Sequence, residues 1–182
     1  MPLTDNELDM IANKNSTSFW LLSLLIFFTV ESAAAQNEVE RERSSLRGIA
    51  EMGFTVNLEV NASLNEKGEI EITSIKEMAE SRLEEADISL IPDERVRSSA
   101  DIPYLYMHIN TMDAGRGLVP FSISIDFYQP AELTLNRDFE TSVSTWQTGT
   151  VGIVSYDRLN IIGESAVNLL DNFISDYHQV NR

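Results

Sequence analysis

The distribution of hydrophobic periods along this chain predicts an α+β fold: a mainly antiparallel sheet of about four to five strands, covered on one face by two helices. Three observations predict it. Apolar residues alternate with polar ones from Gly53 to Val60, from Tyr104 to Thr111 and from Val119 to Gln129, the period of strands with one buried face. They recur at spacings of three and four after Ser74 and again from Leu159, the period of amphipathic helices. The order is strand, helix, several strands, helix, a segregation that favours α+β over an alternating parallel architecture.

In chain order, the first feature is the run from Phe19 to Val30, apolar but for Ser23 and Thr29, followed by small residues up to Ala35. An export signal is built this way, because the peptidase accepts only small side chains at the first and third positions before the cut. Ala33 and Ala35 satisfy that rule, with cleavage before Gln36 and residues 1–35 as the signal peptide. The run is shorter than the roughly 20 apolar residues that span a bilayer core. Lengthening it to Ala35 takes in Glu31, a carboxylate that is costly in hydrocarbon. An uncleaved anchor is the alternative use of the same segment. A buried core helix fits less well, since it would show a polar stripe. Asp5, Glu7 and Asp9 are acidic where a leader is normally positive, and a true start at Met10 would remove them and leave Lys14. No cysteine follows the run to carry a lipid.

The next stretch, QNEVERERSSLR over 36–47, mixes charges without an apolar stripe and is expected as a mobile lead-in or a frayed helix. A single α+β domain over 48–182 follows. Its first strand is Gly53 to Val60, then a turn over Asn65 to Gly68, and Ile70 and Ile72 briefly extend the apolar pattern. Ser74 with Glu77 forms a capping-box signature for a helix whose stripe is Ile75, Met78, Ala79, Leu83 and Ala86. Ile88 to Ile91 is a short strand halted by Pro92, and Asp93 to Asp101 is a polar loop.

Tyr104–Thr111 and Val119–Gln129 read as an antiparallel hairpin whose connection, MDAGRGL, carries two permissive glycines. Thr141 to Thr148 is a further strand, with Gly149 and Gly152 marking a turn beyond it. Leu159, Ile162, Ala166, Leu169, Leu170, Phe173 and Tyr177 then form the apolar face of a closing helix of about five turns.

Composition narrows the function. The chain has 182 residues and a formal net charge of -16, from 29 Asp and Glu against 13 Lys and Arg. Such a balance repels phosphate backbones, and no basic cluster exists to displace counterions, so a nucleic-acid partner is not expected. An anionic membrane surface is disfavoured on the same ground. With no cysteine and 2 histidines, thiolate chemistry is impossible and nitrogen-rich metal sites are hard to build. The carboxylates at Glu84, Glu85, Asp87, Asp93 and Glu94 lack the spacing of a calcium loop. TGTVG at Thr148–Gly152 has no following lysine, and DAGRG has no dinucleotide fingerprint. No cofactor and no metal are expected.

Alternation sorts the hairpin onto two faces. Leu105, Met107, Ile109, Phe121, Ile123, Ile125 and Phe127 belong under the helices. The other face gathers Tyr104, Tyr106, His108, Asn110, Ser122, Ser124, Asp126 and Tyr128, and strand parity adds Ser142, Ser144 and Trp146. Aromatic rings with polar tips suit a binding surface, since they bury area while keeping hydrogen-bond partners. They also serve a plain open sheet, where tyrosines form cross-strand pairs. A hydrolase reading would recruit His108, Asp126 and Ser122 or Ser124 as a triad, but all four stand on regular strand positions with no elbow and no G-x-S-x-G.

PYLYMHIN at Pro103–Asn110, TWQTGTVG at Thr145–Gly152 and NLLDNFISDYHQVN at Asn168–Asn181 together resemble an uncharacterised group of exported bacterial proteins. The resemblance implies a cleavable leader and a small α+β domain, with no assigned activity or catalytic residue. The element order is also similar to that of envelope domains that act as assembly accessories. The expectation is therefore a periplasmic or secreted protein, soluble after signal cleavage, that binds a protein or envelope partner or itself. Its binding face would be Tyr104, Tyr106, His108, Asn110, Tyr128 and Trp146. The alternatives are a small hydrolase or metal-dependent enzyme centred on His108 and Asp126, and a signal-anchored form of the same domain.

Overall fold

The alternating stretches form β1 (Glu51–Glu59), β2 (Ser89–Ile91), β3 (Tyr104–Thr111), β4 (Leu118–Leu133) and β5 (Asn136–Ser155), in one sheet ordered β2-β1-β3-β4-β5. The structure, a computed structural model, describes residues 37–65, 70–99 and 101–181. The proposed leader, its alternative start at Met10 and its cleavage residues Ala33, Ala35 and Gln36 lie outside these. The helices are α1 (37–45), α2 (Ala62–Asn65), α3 (Ile72–Glu85), α4 (Asp93–Ser98) and α5 (Asn160–Asn181), with a short 3-10 turn at Tyr156–Arg158. The chain divides into two units, Met1–Arg41 and Glu42–Arg182. In the first, residues 37–41 are described and helical; the sheet and helices α2 to α5 belong to the second.

The class is α+β, and the sheet is mixed. β3, β4 and β5 run antiparallel to one another, but β1 is parallel to both its neighbours. The expectation of a mainly antiparallel sheet missed this direction change because periodicity reports a buried face and not a strand's heading. α3 carries the chain back to its starting end, so β2 enters beside β1 in the same sense, the requirement for any parallel pair.

α3 and α5 cover one face of the sheet. Ile75, Ala79 and Leu83 of α3 and Ile162, Ala166, Leu170 and Phe173 of α5 are buried with Phe54, Leu105, Met107, Ile109, Ile123, Ile125 and Phe127. The two helices approach closely at Gly163, where a Cβ would lie 3.1 Å from Ile75. α3 begins one turn earlier than the Ser74 signature implied. Its N-cap is Glu71, without a side-chain capping bond. Met78, placed on the buried stripe by spacing, is 42% exposed.

Three further expectations change. The stretch expected as a loop after Pro92 begins with α4, whose first turn carries Asp93 and Glu94 and whose last carries Arg95 and Arg97, an order that suits the helix dipole. Gly149 and Gly152 lie inside β5 and not at a turn; the chain reverses at Thr134 and Leu135 instead, so β4 and β5 form a longer hairpin than the sequence pattern indicates. The folded unit begins at Glu42, ahead of the boundary at 48. Arg43 Nε donates to Asp176 Oδ1 at 2.7 Å, Leu46 is fully buried, and Asn181 bonds both Leu46 O and Gly48 N. One apolar side chain and a polar latch hold this segment, and neither makes a periodic pattern.

Candidate binding face

Cross-strand pairing decides which side chains share a face. His108 lies opposite Ser124, Tyr106 opposite Asp126, Tyr104 opposite Tyr128 and Asn110 opposite Ser122. All eight occupy the side away from α3 and α5, because their neighbours Leu105, Met107, Ile109, Ile123, Ile125 and Phe127 are buried. β1 adds Thr55, Asn57 and Glu59, in register with Tyr106, His108 and Asn110.

The tyrosines pack on one another. Tyr104 and Tyr128 stack with ring centres 5.2 Å apart and 14° between planes, and Tyr106 meets Tyr128 edge-on at 6.4 Å. All three rings are half-buried. Burial raises the Tyr128 phenol above its ordinary value, and the Asp126 carboxylate and the neighbouring phenols push in the same direction. Near neutrality the phenol carries its proton as any tyrosine does, so its O–H is a donor on this face.

Trp146 is a correction. It lies opposite Phe127 on the core face, 3% exposed, with its indole edge-on to Phe173 at 5.1 Å and its Nε1–H donating to Asp176 Oδ2 at 3.0 Å. Parity fails here because β5 carries a bulge. Phe127 pairs with Trp146 but Tyr128 pairs with Ser144, so Thr145 is the extra residue. An extra residue turns every side chain beyond it to the other face. Ser142 and Ser144, before the bulge, therefore share the side of Tyr128 and Pro130, whereas Trp146 falls inside.

The same bulge places Gln147, Gly149, Val151 and Ile153 on the open face, opposite Asp126, Ser124, Ser122 and Pro120. Val151 is 81% and Ile153 66% exposed, and Met112 and Leu118 nearby are also exposed. Sequence reasoning missed this apolar margin by assigning TGTVG to a turn; the signal was alternation continuing through Val151 and Ile153. On the core side, Phe121 packs its ring over Gly152, where a Cβ would sit 2.5 Å from it. At the other end of the open face, Val96 of α4 lies against Gly53, where a Cβ would come within 2.5 Å of it.

Of the triad residues, His108, Ser122 and Ser124 line one shallow pocket with Gly149 and Val151, and Asp126 does not reach it. Asp126 accepts a bond from Ser144 Oγ at 3.3 Å. His108 faces the opposite neighbour: its enclosed Nε2 is 3.3 Å from Glu59 Oε1 in a geometry that makes no hydrogen bond. His108 and Asp126 are diagonal across the β3–β4 pair, a relation that separates side-chain origins by about 7–8 Å. Among the described residues no group of three or more His, Asp or Glu side chains is arranged to hold a metal, and no helix is long and apolar enough to cross a membrane.

No protein-family model matches the chain, and a comparison with curated proteins finds no match. Among solved structures, the fold is distantly similar to a PelC dodecamer from Paraburkholderia phytofirmans, with 11% identity and a TM-score of 0.41 over 75% of this chain and 91% of that one.

Proposed function

We propose that this chain is an exported envelope domain, periplasmic or secreted, that binds a macromolecular partner through the open face of its sheet and performs no chemistry of its own. The observation that carries the reading is the mutually packed, half-exposed set Tyr104, Tyr106 and Tyr128 on the face opposite the helices. Rings already held by their neighbours lose little freedom on binding, and their hydroxyls offer directional contacts. The leader ending at Ala35 and the resemblance to exported proteins support the location. The strong acidic balance disfavours nucleic acid and anionic lipid as partners.

The experiment is a pull-down from envelope extract with the chain and its Tyr104→Ser, Tyr106→Ser double variant. Loss of a specific partner with the unfolding temperature little changed supports the reading. Retention of every partner by a folded variant removes the face from the case. The enzymatic alternative at His108 and Asp126 is tested by turnover of ester, phosphate and glycoside substrates, where activity lost in His108→Ala would replace the binding reading. The intact mass of the protein in cell fractions, compared with that of a chain starting at Gln36, distinguishes a cleaved leader from a retained anchor.

A further inference from the structure

We propose that the outer edge of β5 from Trp146 to Ser155 is a homotypic interface, at which two copies of this chain pair their β5 strands antiparallel and continue the sheet across a two-fold axis. This concerns the edge, and it stands whether or not the tyrosine face binds a partner.

A sheet has two edges, and these two differ. β2 is a three-residue strand closed by Pro92, the short, donor-poor kind of edge that resists pairing. β5 is a 20-residue strand with β4 on one side and no described strand on the other. Exposed edges are ordinarily guarded by charge, proline or a bulge. Between Glu140 and Asp157 there is no Asp, Glu, Lys, Arg, His or Pro. Among the described residues the guard of this stretch is the bulge at Thr145, whose carbonyl accepts the Ser45 hydroxyl at 3.2 Å. Beyond it the edge is neutral, rich in Thr, Val and Ile that favour extended backbone, and flanked by the exposed Val151 and Ile153.

Charge selects the occupant. Two molecules that each carry -16 repel over most of their surface, and a strip without charge is where they can meet. A basic partner would find no carboxylate there to pair with. An antiparallel two-fold contact sets the same strip against itself, satisfying the backbone groups of both copies at once. About ten residues at about 3.4 Å each, on a sheet about 10 Å thick, bury only a few hundred Å² per partner. A standard stable interface buries about 800 Å² per partner, so the dimer is reversible and concentration-dependent.

The test uses the chain as purified from producing cells. Sedimentation velocity up to about 100 μM should show a monomer–dimer equilibrium, weakened about tenfold or more in Val151→Lys, Ile153→Lys. Because the chain has no cysteine, single variants Gln147→Cys, Val151→Cys, Ile153→Cys and Ser155→Cys report position by disulfide formation. Cross-linking should peak at one of these and fall away on either side, with Ser122→Cys and Tyr106→Cys unlinked. A monomer at every concentration overturns the proposal. So does cross-linking that peaks at Ser122→Cys or Tyr106→Cys, which would mean association through the open face instead.

Discussion

Trp146 shows how one inserted residue reassigns a side chain. Alternation counted from Ser142 puts it on the open face beside the tyrosines, and the bulge at Thr145 puts it in the core. It holds three elements together: β5, Phe173 of α5, and through Asp176 the Arg43 latch at the end of α1. Trp146→Ala should therefore lower the free energy of unfolding by about 3–5 kcal/mol, as large core truncations do. Trp146→Phe keeps a ring against Phe173 and loses the bond to Asp176, which retains Arg43, so its loss should be about 1 kcal/mol. Urea unfolding of the three proteins checks the order. Equal, near-zero losses would place Trp146 at the surface.

α4 is the element that periodicity left out, and its seat depends on a glycine. Val96 rests where a side chain at Gly53 would stand, and the neighbouring ion pair of Arg95 with Glu51 spans 3.7 Å. That pair is mostly exposed and contributes little, so packing decides the position. Gly53→Ala should destabilise by about 1–3 kcal/mol through overpacking. Adding Val96→Ala should recover much of the loss, because the two sites are in contact and their effects are not additive. A double-mutant cycle by chemical denaturation measures this coupling, and simple additivity would show that α4 sits elsewhere. The strand periods of β1, β3 and β4 and the helix periods of α3 and α5 were legible because each repeats over several residues. A four- to six-residue helix such as α2 or α4 completes too few turns to show a period, and a bulge is a single interruption.

The whole molecule carries a large negative charge, and its tyrosines set how it responds to alkali. Burial raises Tyr177, whose hydroxyl donates to Ile49 O at 2.7 Å, and burial with nearby negative groups raises Tyr128. Lys76 is also raised: burial works against its charge, but its bonds and attraction to Asp93 and Glu80 prevail. A raised folded value means that the folded state holds the proton more tightly than the unfolded chain. The stabilisation is full below the unfolded values near 10 and is lost as pH rises through the folded ones. New phenolates on a chain of -16 add repulsion in the same direction. The urea midpoint should be insensitive to these groups near neutrality and fall steadily above about pH 10. Absorbance at the phenolate band should place part of the tyrosine titration above the ordinary range. A midpoint that rises through this window would reverse the assignment.

Composition and local period established the α+β class, the two covering helices, the inward set from Leu105 to Phe127 and the outward set from Tyr104 to Tyr128, because these depend on near neighbours in the chain. Strand direction around β1, the length of β5, the inward turn of Trp146 and the exposure of Val151 and Ile153 came from contacts between residues far apart in sequence. Direction follows from how a crossover returns to the sheet, and facing follows from register against a partner strand. Neither is written in a strand's own residues, and one unpaired threonine is enough to reverse the second.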